Sequence, residues 1–114
     1  MENPQITAHT IVDALGKAFS QKRSVSKDIL LDAAMKLSVL ALEEVAILTQ
    51  MEQDIAKAKV LMLETQEKRN VSEVELRIEA TDAYRDMRRQ KAFVETIEEV
   101  IHTARLSAKL NEFK

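Results

Sequence analysis

The segment ETIEEVIH, residues 95–102, places Glu95, Glu98, Glu99 and His102 within two helical turns. Glu99 and His102 are three residues apart, the E-x-x-H spacing by which helical bundles hold carboxylate-bridged metal pairs. Such a centre needs a second E-x-x-H, or a symmetry copy, and carboxylates that face inward. At about 100° per residue, Glu99 falls nearly opposite the apolar face of its helix and His102 on its flank. Glu44 sits within an apolar face, where an unpaired charge is costly. A buried cation such as an arginine is its expected partner, ahead of a metal shared across an interface. No metal and no cofactor are expected. No Ser-His-Asp set or glycine-rich phosphate loop can be assembled, and the chain has no cysteine, so the expectation is a protein that is not an enzyme.

The second candidate is AYRDMRRQK, residues 83–91, with three arginines and a lysine in nine residues. Arginines on an exposed helix face can grip phosphates bidentately. Arg77, Arg85, Arg88 and Arg89 fall on the side opposite the apolar seam, and Lys57, Lys59, Lys68 and Arg69 belong to the same end of the expected hairpin. From Lys57 to Lys91 there are nine basic and seven acidic residues. Glu75, Glu79, Asp82 and Asp86 are interleaved with the arginines and can pair with them at helical spacing. A solvated face and a phosphate-binding face therefore both fit this pattern.

These residues need elements to position them. The chain has 114 residues, 46% apolar and 32% charged, which suits one domain with a packed core. One glycine and one proline leave too few turn residues for a sheet protein, so an all-α fold is expected. The net charge of −2 and the lack of tryptophan, with Phe19, Tyr84, Phe93 and Phe113 as the aromatics, argue against a general nucleic-acid sponge. Residues 1–5 lack the pattern of a secretory leader. The most apolar stretch, Leu37 to Leu48, carries Glu43 and Glu44 and is too short to span a bilayer, so no membrane partner is expected.

Three helices are expected. The first covers about residues 4–20, capped by Asn3 with Pro4 at its first position. The second covers about 26–67, capped by Ser24 or Ser26. The third covers about 73–112 without interruption, with Ser72 and Glu75 as a capping box and Val71 stapled onto Leu76. A seam at alternating spacings of three and four runs Leu76, Ala80, Ala83, Met87, Gln90, Val94, Ile97, Ile101, Ala104, Ala108. The second helix matches it with Leu30, Ala34, Leu37, Ala41, Leu48, Met51, Ile55, Ala58 and Met62. The expected architecture is a short N-terminal helix followed by a long antiparallel, coiled-coil-like hairpin. The second helix has more apolar residues than one seam needs, so a homo-oligomer is expected, with Val39, Leu40, Leu42, Ala46 and Ile47 at the interface.

The stretches AKAKVLMLE, NVSEVELRIEATDAYRDMRR and IHTARLSAKLNEF together resemble small helical-hairpin proteins of tailed bacteriophages. The nearest named group is the UvsY-type recombination mediators, over roughly residues 43–113. The resemblance implies an oligomeric accessory protein of DNA recombination or replication in the cytoplasm of a bacterial host. It would bind single-stranded DNA and assist a recombination or replication protein. By position, Lys57, Lys59, Arg77, Arg85, Arg88, Arg89 and Arg105 would contact DNA. The slightly acidic charge, the scarcity of aromatics and the first helix depart from that pattern. The competing expectation is a protein–protein adaptor or inhibitor that docks on a host protein, or an assembly component without nucleic-acid binding.

Overall fold

The computed structural model describes residues 7–21, 25–65 and 70–111. Among them are four helices and no strand: α1 (Ala8–Ser20), α2 (Lys27–Thr65), α3 (Val71–Glu79) and α4 (Asp82–Asn111). The all-α expectation holds. No described helix is long and apolar enough to cross a membrane.

Each helix start follows from a side chain that takes an orphan backbone N–H. Thr7, in extended conformation, accepts from the Thr10 N–H through its hydroxyl and caps α1. The described helix thus begins at Ala8, and the Asn3-Pro4 cap lies outside the described residues. Ser26 Oγ accepts from the Ile29 N–H at 3.3 Å, the expected cap of α2; Ser24 lies outside the described residues.

The third expected helix is corrected at two places. Its cap is Asn70, two residues before Ser72: Asn70 Oδ1 accepts from the Glu73 N–H at 3.2 Å. Ser72 lies inside the helix, and Val71 and Leu76, the expected staple pair, are both exposed. The helix is also interrupted after Glu79. Thr81 Oγ1 donates to the Ile78 carbonyl at 2.6 Å and accepts from the Tyr84 N–H at 3.2 Å. One hydroxyl closes α3 and opens α4, giving the backbone an alternative to the helical ladder without glycine or proline.

The chain divides into two compact units, residues 1–43 with 94–114, and residues 44–93. In the first, Leu15 of α1 packs with Leu30 and Ala34 of α2 and with Ala104 and Ala108 of α4. Ile11, Phe19 and Val25 close over this cluster. The small alanines on α4 admit the larger leucines, so the helices approach closely. Leu37 and Ile97 are fully buried in the same unit.

In the second unit, Ile55 of α2 packs with Val74 and Ile78 of α3. Ala58, Met62, Leu63, Tyr84 and Met87 surround them. The expected seam positions Leu76, Ala80 and Ala83 are exposed, and Val74 and Ile78 take their place. The interruption at Thr81 resets the phase of the apolar face, and from Met87 onward the expected positions are buried or half-buried.

Candidate nucleic-acid interface

Arg85, Arg88 and Arg89 recur at helical spacings of three and four on the first turns of α4 and are all exposed. With Tyr84, Glu79 and Ala92 they line a shallow groove of about 390 Å³. Arg85 lies 3.9 Å from Asp82, and both side chains are largely in water, so this pair holds little. Arg88 and Arg89 have no ion-pair partner among the described residues. Three guanidinium groups beside a half-buried tyrosine ring can bind phosphate oxygens, with the ring available to a base or sugar. Glu79 at the rim keeps the groove from being purely basic.

The other expected contacts do not gather here. Arg77 on α3 donates to Glu73 Oε1 at 2.6 Å, an exposed pair one turn apart that engages the guanidinium. Its partner is therefore Glu73 rather than Glu75 or Glu79. Lys57 and Lys59 are about 200° apart around α2 and cannot share a face. Lys57 borders a shallow apolar groove with Ala56, Val60 and Leu61, and Lys59 is half-buried. Arg105 belongs to the first unit, where its Nη2 donates to Ser38 Oγ at 3.4 Å. Lys68 and Arg69 lie outside the described residues.

Glu44 has a partner that sequence reasoning missed. Gln90 Nε2 donates both to Glu44 Oε2 at 2.7 Å and to the Glu44 carbonyl at 2.9 Å. Both side chains are half-buried at seam positions, so the expected cation is replaced by a neutral amide. The signal was present: Gln90 is the one polar residue of the α4 seam, and Glu44 fills the gap between Ala41 and Leu48. Among the described residues no three histidine, aspartate or glutamate side chains cluster as a metal site would require. Glu98 and His102 share a groove with Ser38, Ala41, Ile101 and Arg105 in the first unit, Glu99 does not line it, and all three are exposed.

Four of the five residues expected at an oligomer interface are exposed. Val39 and Leu42 line an apolar groove with Leu31, Met35, Ala34, Ser38 and Arg105. Leu40 is half-buried. Ala46 and Ile47 are exposed but belong to the second unit.

Compared with models of protein families, with curated proteins and with solved structures, the chain matches none.

Proposed function

We propose that the protein is a non-enzymatic, self-associating accessory factor of phage DNA recombination or replication that binds single-stranded DNA. The observation that carries the binding is the groove of Arg85, Arg88 and Arg89 beside Tyr84, with two of its three guanidinium groups without an ion-pair partner among the described residues. The recombination setting rests on the resemblance of the AYRDMRR region and its flanks to UvsY-type mediators. In this reading α2 and α4 form an antiparallel hairpin. It is supported by the order of contacts inside each unit: Leu30 and Ala34 meet Ala104 and Ala108, and Glu44 meets Gln90. Three arginines per copy bind weakly, and repetition of the groove in an oligomer turns weak contacts into tight association.

Fluorescence anisotropy with a labelled single-stranded oligonucleotide across a salt series tests the proposal. If each arginine neutralises one phosphate, log affinity falls with log salt at a slope of roughly −2 per copy. The triple variant Arg85→Ala/Arg88→Ala/Arg89→Ala loses this binding while keeping its helicity. Equal binding by the triple variant, or none by the wild type at low salt, removes the nucleic-acid role.

A protein–protein adaptor is the second reading. The exposed apolar groove along α2, with Met35 63% and Leu42 71% exposed, favours it. Such binding would resist salt, because apolar burial does not depend on counterion release.

A further inference from the structure

We infer that the apolar stripe of α2 is covered by the same stripe of a second copy of this chain, in an antiparallel pair centred on Val39. Leu31, Met35, Val39 and Leu42 expose 42%, 63%, 62% and 71% of their surface and line one groove. Their spacings of four and three form the ridge that packs into the grooves of a facing helix. Buried on both copies together with the flanking stems, the stripe removes on the order of 1,000 Å² from water, the lower bound for a biological interface.

The charges beside the stripe favour a second copy over an unrelated partner. Lys36 and Glu43 are seven residues apart, which puts them about 20° from each other on one flank of the helix. Val39 and Leu40 lie midway between them. A two-fold axis at that midpoint sets Lys36 of each copy against Glu43 of the other, so one sequence supplies both halves of two ion pairs. Glu43 has no ion-pair partner among the described residues. Lys36 pairs with Asp32 at 2.9 Å, which leaves the cation bracketed by two carboxylates once the copies meet. At the crossing sits Ser38, small enough for close approach. Its hydroxyl donates to the Ala34 carbonyl at 2.8 Å and accepts from Arg105 at 3.4 Å, so covering it strands no polar group.

The pairing does not depend on DNA binding, and its test contains no DNA. Sedimentation of the full chain at rising concentration is expected to show the mass of two copies or a multiple. Leu42→Asp is expected to yield a monomer with unchanged helical circular dichroism. Lys36→Glu and Glu43→Lys are each expected to weaken association by roughly tenfold, and the double variant to restore it, because the two-fold returns opposite charges to contact. Unchanged helical circular dichroism of each single variant shows that it folds. The chain has no cysteine, so engineered thiols report contacts without background. Val39→Cys is expected to form an intermolecular disulfide, and Val60→Cys, exposed on the same helix in the second unit, is not. A monomer at about 100 µM overturns the inference. So does a double variant that stays dissociated, or an oligomer that cross-links at Val60 and not at Val39.

Discussion

Single residues set the polar economy of this protein. Glu44 and Gln90 occupy positions that a seam of apolar residues would otherwise fill, and two hydrogen bonds from one amide satisfy the carboxylate and its own carbonyl. Gln90→Leu leaves the half-buried Glu44 carboxylate without its donor and is expected to cost about 1–3 kcal/mol in urea unfolding. Adding Glu44→Leu to that variant is expected to recover the loss, because two apolar side chains pack where the polar pair stood. A double variant no more stable than Gln90→Leu would show that the pair contributes more than mutual satisfaction. Gly16 offers the opposite case. It lies inside α1, and a Cβ added there meets nothing within 4 Å beyond its chain neighbours and the backbone of its own helix. Gly16→Ala is expected to stabilise the fold by about 0.5–1 kcal/mol through the unfolded chain's lost freedom, read as a rise in Tm.

At the scale of elements, caps decide where helices begin. Asn70 and Ser72 compete for the start of α3, and both precede a glutamate by three residues. Asn70 caps α3, and the helix it opens buries Val74 and Ile78 against Ile55. Asn70→Ala is expected to cost about 1 kcal/mol, and Ser72→Ala, on an exposed helical position, within about 0.5 kcal/mol of nothing. Equal losses in thermal unfolding would return the cap to Ser72. Thr81 joins two helices through one hydroxyl. Thr81→Ala removes the donor to Ile78 and the acceptor for Tyr84 together. The expected result is faster amide exchange at Tyr84 and its neighbours, with α4 otherwise protected. This joint was not legible beforehand because Ala80, Thr81 and Asp82 include no breaker, and a hydroxyl's choice of partner leaves no periodic trace.

At the scale of the whole molecule, the apolar surface of α2 sets behaviour. Ile29, Leu31, Met35, Val39 and Leu42 all remain exposed in the single chain. If the stripe pairs copies, the Tm rises with protein concentration by mass action, and Leu42→Asp abolishes that dependence. A Tm independent of concentration in the wild type would mean that the stripe stays open. The basic groove and the apolar stripe use different chemistry, so the triple arginine variant is expected to keep its mass and Leu42→Asp to keep its arginine groove.

Sequence alone determined the helical class, the α2 ladder from Leu30 to Met62, and the α4 ladder from Met87 onward. Helical periodicity is a local property, and long uninterrupted patterns carry it without knowledge of neighbours. Tertiary structure decided the rest. Whether Val74 or Leu76 is buried depended on packing against Ile55 from a distant segment. Which partner Glu44 found depended on the register that sets Gln90 beside it. Seven basic residues looked equivalent as types, yet three gather with Tyr84 while Arg77 is held by Glu73 and Arg105 by Ser38. A charged side chain's neighbours are fixed by packing across elements, and spacing along one helix cannot supply them.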